Sequence, residues 1–152
     1  MTEVLRYAAF TVDGRGGNPA GVVLDARDLG EVEMQAIARD VGYSETAFLV
    51  SRPETNAYDV RYFAPQAEVP FCGHATVATA VVLAEREGLG ARVFSTAAGD
   101  VAVDATTAPD GSVQVAMTSV EPATRPIDPV RWERLAAVDD PTAFFRNVGI
   151  TP

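Results

Sequence analysis

One thiol and one imidazole are the only side chains of their kinds in this 152-residue chain. They stand two residues apart as Cys72 and His74, with Gly73 between them. From Ala75 to Ala84 almost every position is apolar or small, so Cys72-Gly73-His74 reads as the opening of a helix. A helix N-terminus presents backbone N–H groups that lack intrahelical partners and carries about half a positive charge. Such an end binds a carboxylate. Gly73 lets a ligand approach the backbone closely, and a thiol there is biased toward thiolate. The plainer reading makes Cys72 a buried small hydrophobe and His74 a cap, the commoner fate of a lone cysteine and a lone histidine.

Ser44-Glu45-Thr46 is the second constellation. Glu45 stands between small polar residues at the start of an otherwise apolar strand. Buried there, its carboxyl would have a raised pKa and could act as a general base. Exposed, it is an ordinary loop acid, and the pattern alone favours that. Asp59 and Glu68 carry the same ambiguity with less context. The glycines between Gly14 and Gly21 imitate a phosphate loop weakly, because there is no lysine and a strand rather than a helix follows. A structural turn is the better reading.

Composition removes other chemistries. All 12 basic residues are arginine, which excludes a lysine Schiff base and a lysine-dependent phosphate loop. One cysteine and one histidine exclude a zinc site built from several such ligands, and a disulfide framework. No metal-ligating set is expected. With 21 acids the formal net charge is −9, and no arginine cluster offers a basic face, so neither nucleic acid nor an anionic membrane is an expected partner. There is no apolar run of membrane-spanning length and the N-terminus lacks the regions of a signal peptide. An unpaired cysteine suits a reducing compartment, and a cytoplasmic protein is expected.

The elements that must position these residues can be placed. Leu5–Val12 reads as a strand, residues 13–19 as a glycine-rich turn, and Val22–Leu24 as a short strand. Met34, Ile37, Ala38 and Val41 follow helical spacing over 31–41, with Glu31 and Glu33 in the first turn and Gly42 as the stop. Strands are expected over Thr46–Val50, Tyr58–Phe63, Arg92–Thr96, Gly99–Ala105 and Ser112–Ser119, the last two joined as a hairpin by Pro109-Asp110-Gly111. Arg86 and Gly88 close the apolar helix. A helix without a polar stripe is buried, so the expected architecture is α+β: a curved, mostly antiparallel sheet around that central helix, with the 31–41 helix outside. Beyond 119, Pro122, Pro126 and Pro129 mark a linker, and Val130–Val138 is a candidate short helix.

Several stretches in order resemble the N-terminal half of the phenazine-biosynthesis PhzF-like family. They are Gly17-Asn18-Pro19-Ala20-Gly21-Val22-Val23-Leu24, Met34-Gln35-Ala36-Ile37-Ala38, Ser44-Glu45-Thr46-Ala47-Phe48, Arg61-Tyr62-Phe63-Ala64-Pro65 and Glu68-Val69-Pro70-Phe71-Cys72-Gly73-His74-Ala75-Thr76. The resemblance covers about residues 4–119. It implies the diaminopimelate epimerase fold, two similar half-barrels with the active site between them. It implies acid–base proton transfer on carbon next to a carboxylate, with no cofactor. Glu45 falls on the family's proton shuttle, and Gly73 and His74 on residues at the substrate. Asn18 and Ala75 are further candidate substrate contacts. Cys72 falls where related epimerases keep a catalytic cysteine, a position that varies among PhzF-like proteins.

The resemblance also sets expectations about assembly. Residues 1–119 make one half-barrel, and 120–152 are too few and too rich in proline for a second. The missing wall would come from a second copy in a homodimer or from a partner half-chain. The alternative is a truncated or degenerate, non-catalytic ligand-binding or interaction module.

Overall fold

The computed structural model describes residues 2–12, 14–53 and 56–121. The chain divides into two units, Met1–Val120 and Glu121–Pro152. The helix expected over Val130–Val138 lies outside the described residues.

Among the described residues the order is β1 (Leu5–Ala9), β2 (Asn18–Val23), α1 (Glu31–Val41), β3 (Glu45–Ser51), β4 (Ala57–Phe63), β5 (Glu68–Val69), α2 (Gly73–Glu87), β6 (Gly90–Thr96), β7 (Gly99–Thr107) and β8 (Val113–Thr118). One mixed sheet runs β1-β2-β3-β4-β6-β7-β8, with β5 on the edge of β4 that it shares with β6. The β2–β3 and β4–β6 pairings are parallel and the rest antiparallel.

Two-residue alternation sorts the apolar side chains onto two faces. Val22, Ala47, Leu49 and Tyr62 join Ala75, Ala78, Val82 and Leu83 of α2 in the larger core. Their chain neighbours Val23, Phe48 and Phe63 point the other way, onto Met34 and Ala38 of α1. Strands β2 and β3 are therefore apolar on both sides, and each helix covers one face.

α2 touches β1 and β2 at one end of the strand path and β7 and β8 at the other. In a flat sheet with strands about 4.8 Å apart those ends would lie about 29 Å from each other, far wider than a helix of about 10 Å. The sheet must curl around α2 into a half-barrel. The expectation of a helix with no solvent face is corrected, however. β1 and β8 do not pair, and Val77 and Val81 of α2 stay half-buried in a groove between them, with Ala8, Phe10, Val113 and Val115 alongside. The helix's last turn, Glu85–Glu87, is exposed.

Local chemistry explains most boundaries. The helix expected over 31–41 is present; Glu33 Oε2 accepts from the Gly30 N–H at 2.8 Å, and Gly42, at φ +71°, donates its N–H to Ala38 O. The expected hairpin forms between β7 and β8, with Gly111 at φ +86° and Asp110 Oδ1 accepting from the Ser112 N–H. Two expectations need correction. β1 stops at Ala9 rather than Val12, because Phe10 takes φ +60° and turns the chain. β2 starts at Asn18 and ends at Val23, so it includes Pro19, which the turn reading had excluded. Pro19 is opposite Ala8 of β1, while the β3 register begins only at Ala20. Its missing N–H costs no β2–β3 bond.

Gly21 is required for a packing reason. It lies opposite Thr46, and a Cβ there would come 2.7 Å from Thr46 Oγ1 and 2.9 Å from its Cγ2. Thr46 is fully buried and cannot swing into solvent. Gly21→Ala is expected to destabilise the domain by about 1–3 kcal/mol, the usual range for overpacking, read as a lower urea midpoint.

Candidate active site

Glu45 is the first residue of β3, opposite Ala20 of the parallel strand β2. Cys72 is the N-cap of α2 and His74 its second residue. Strand and helix N-terminus meet so that the three side chains form a triangle. Cys72 Sγ lies 3.4 Å from Glu45 Oε2 and 3.2 Å from His74 Nδ1. The other imidazole nitrogen, Nε2, lies 3.4 Å from Glu45 Oε2 and 3.3 Å from Ser44 Oγ. The imidazole is thus gripped at both nitrogens. Its side chain is 10% exposed and that of Glu45 21%, so the triangle is sheltered but reachable. The exposed-loop reading of Glu45 does not hold.

The α2 end is held by β4. The buried Thr76 hydroxyl donates to Cys72 O at 2.8 Å, and the Tyr62 hydroxyl lies 2.6 Å from Thr76 Oγ1. Burial pushes the Tyr62 phenol up to about 12. It keeps its proton and, since the Thr76 hydroxyl already donates to Cys72 O, donates the hydrogen bond to Thr76 Oγ1. The first main-chain bond of the helix runs from Thr76 N to Cys72 O. The N–H groups of Gly73, His74 and Ala75 are therefore free of helical partners. The Ala75 side chain is fully buried in the core, so only its backbone can serve a ligand.

The expected bias of Cys72 toward thiolate is reversed. Its thiol is pushed up to about 11, chiefly by burial; the charge and hydrogen bond of Glu45 push the same way. The backbone amides of Ala75 and His74 favour the anion, but burial and the carboxylate outweigh them. Cys72 is a protonated thiol at neutral pH. Its alkylation by iodoacetamide should accelerate about tenfold per pH unit through pH 8–10, since only thiolate reacts. A rate that levels off below pH 9 would contradict this state.

The remaining sequence candidates fall elsewhere. Glu68 is clamped by Arg61 at 2.7 and 2.6 Å, which holds its carboxyl below the usual range. Asp59 pairs with Arg52. Asn18 starts β2 beside Ala9 and is exposed; among the described residues no hydrogen bond joins it to the triangle. Sequence reasoning overlooked two neighbours. Ser44 was visible only as part of the Ser-Glu-Thr motif. Met117 of β8 gave no local signal, yet its Cε lies 3.8 Å from where a Gly73 Cβ would stand.

Fold and cluster together define a half-barrel α+β domain with a carboxylate, a thiol and an imidazole gathered at a helix N-terminus. Residues 7–139 match the family described as phenazine biosynthesis-like protein, PhzC-PhzF. The chain belongs to that family. It is 42% identical over 127 residues to the protein named uncharacterized isomerase YfhB of Bacillus subtilis, covering 82% of this chain and 43% of that protein. It is 50% identical over 88 residues to uncharacterized isomerase YddE of Escherichia coli K12, covering 58% of this chain and 29% of the relative. Among solved structures, the PhzF-family phenazine biosynthesis protein of Bacillus anthracis superposes with a TM-score of 0.68 at 39% identity, over 75% of this chain and 39% of that one. A predicted epimerase of Pseudomonas aeruginosa gives 0.61 at 28% identity, over 66% of this chain and 36% of that one. The chain spans less than half the length of these relatives. Among the described residues no helix is long and apolar enough to cross a membrane.

Proposed function

We propose that this chain is an isomerase or epimerase half-barrel that transfers a proton on carbon in a small carboxylate-bearing substrate. The observation that carries the reading is the Glu45–Cys72–His74 triangle beside three amides that have no helical partner. The substrate carboxylate sits on the N–H groups of Gly73, His74 and Ala75, where the helix end favours an anion. Glu45 takes the proton from the adjacent carbon; the C–H bond's electron pair stays on that carbon, conjugated with the carboxylate. The same proton, or one from Cys72 or His74, returns to another carbon or to the other face. The chemistry is redox-neutral and needs no cofactor. The names of the relatives as isomerases and as a predicted epimerase support this class of reaction.

A half-barrel of the diaminopimelate epimerase kind belongs to the same proposal, as does a cytoplasmic setting. The other wall of the cleft comes from a second half-barrel, either a second copy of this chain in a homodimer or a partner half-chain. That the relatives are more than twice as long as the part matched here supports a two-walled site. The test is deuterium incorporation from heavy water into 2-amino and cyclic carboxylic acids, with light scattering to define the active assembly. Exchange that depends on Glu45 supports the reading. Binding of such acids that survives Glu45→Gln, with no exchange by either protein, would favour a non-catalytic binding module.

A further inference from the structure

We infer that Glu45, Cys72 and His74 form a three-donor site for a thiophilic divalent cation of the zinc class. One sulfur, one nitrogen and one oxygen donor, one from each residue, lie within 4.8 Å of one another. A tetrahedral ion with zinc-like bonds holds such donors about 3.3–3.6 Å apart. The two edges that meet at sulfur, Sγ–Oε2 at 3.4 Å and Sγ–Nδ1 at 3.2 Å, are already close to that length. Closing the third edge turns the Glu45 carboxylate from Nε2, now 3.4 Å away, toward Nδ1. With Nδ1 on the ion, Nε2 keeps its proton and donates it to Ser44 Oγ at 3.3 Å, the outer partner that orients a ligating imidazole. Three protein ligands leave a fourth tetrahedral position open. The chain excludes the multi-Cys, multi-His site by count, but a carboxylate brought from a separate strand supplies the third donor.

The cation would occupy the space that the proposed function gives to substrate and would withdraw Glu45 and Cys72 from proton transfer. This consequence rests on the acid–base reading, whereas binding does not. Zinc-class ions are therefore inhibitors competing with the carboxylate substrate.

The probe is Co²⁺ titrated into the whole chain without substrate, followed by Zn²⁺ displacement. The chain holds one cysteine and one histidine, so a thiolate-to-cobalt band can only report Cys72 and a shifted imidazole signal only His74. The expected result is one cobalt per chain, with a thiolate band and visible bands of tetrahedral intensity. Cys72→Ser, His74→Gln and Glu45→Gln should each weaken Zn²⁺ binding by more than about 10-fold, the least expected where even an outer partner costs that much. Asp100→Asn, remote from the triangle, should leave it unchanged. Absence of the thiolate band, one metal shared by two chains, or Zn²⁺ affinity indifferent to Cys72→Ser would overturn the site. Exchange that persists when Zn²⁺ saturates the cobalt-monitored site would overturn the inhibition and the acid–base role of Glu45, not the site. Cobalt binding in a chain that shows no exchange supports the cation site and counts against the acid–base reading alone.

Discussion

Glu45→Gln is expected to lower carbon–proton exchange, the reaction proposed for this chain, by about 10²- to 10⁴-fold, the share that a positioned general base contributes, while the domain stays folded. Glutamine keeps the shape of the side chain and can still hydrogen-bond to His74 and Cys72. It cannot accept a proton from carbon. The fold has little at stake, because Glu45 belongs to neither hydrophobic core and pairs with β2 through its backbone. A second readout verifies that the charge has gone from the right place. Glu45 raises the Cys72 thiol by both its charge and its hydrogen bond. Its removal therefore lowers the thiol pKa, and alkylation of Cys72 at pH 8 speeds up. Slower exchange and faster alkylation in one folded variant assign the base to Glu45. Full exchange activity in Glu45→Gln would dismiss it from the chemistry, whatever the alkylation rate.

Much of this fold could be read from local signals. The 31–41 helix is written twice over, once in the spacing of Met34, Ile37, Ala38 and Val41 and again in Gly42, which alone among common residues takes φ +71° without strain. The start of α2 was legible for a similar reason: small apolar residues from Ala75 onward have no use in a strand that faces water. What escaped was set by partners far away in sequence. β1 ends where Phe10 turns the chain, and an aromatic–β-branched run gives no hint of that. Pro19 looked like a strand breaker because a proline shows its missing donor but not which neighbour it faces. The groove over Val77 and Val81 depends on β1 and β8 failing to meet, a long-range property of the sheet's curl.

The site was half legible for the same physical reason. Cys72 and His74 announce themselves by being unique and only two residues apart. Glu45 is 27 residues from Cys72, and the β3–β4 register with the Tyr62–Thr76 link ties strand start to helix start. The thiol's state was read with the wrong sign. A helix end argues for thiolate, but burial and a carboxylate at 3.4 Å argue harder for thiol. No pattern of residue types reveals that balance, since it depends on depth and on a charge delivered by a different element.

Gly73→Ala separates a glycine kept for the fold from one kept for a ligand. Gly73 does not have a positive φ, and the nearest atom to an added Cβ is the Met117 methyl at 3.8 Å, an ordinary contact with a flexible side chain. The backbone would tolerate alanine, and a helical position gains up to about 1 kcal/mol when glycine becomes alanine. The expected result is a melting temperature unchanged or raised by a few degrees, about 2–8 °C at most for a domain of this size. Activity should move in the opposite direction. In the proposed reaction the amides beside the new methyl grip the substrate carboxylate, and displacing a reacting group by about 1 Å costs on the order of 10²-fold. The loss should appear in KM and kcat together, because the carboxylate both anchors the substrate and aims its carbon at Glu45. Met117→Ala makes room beside Gly73 without adding anything at the amides, so it should lower stability and leave the amide grip intact. If Gly73→Ala instead lowers the melting temperature and activity falls only with the folded fraction, the glycine serves the helix and the amides have lost their claim to the carboxylate.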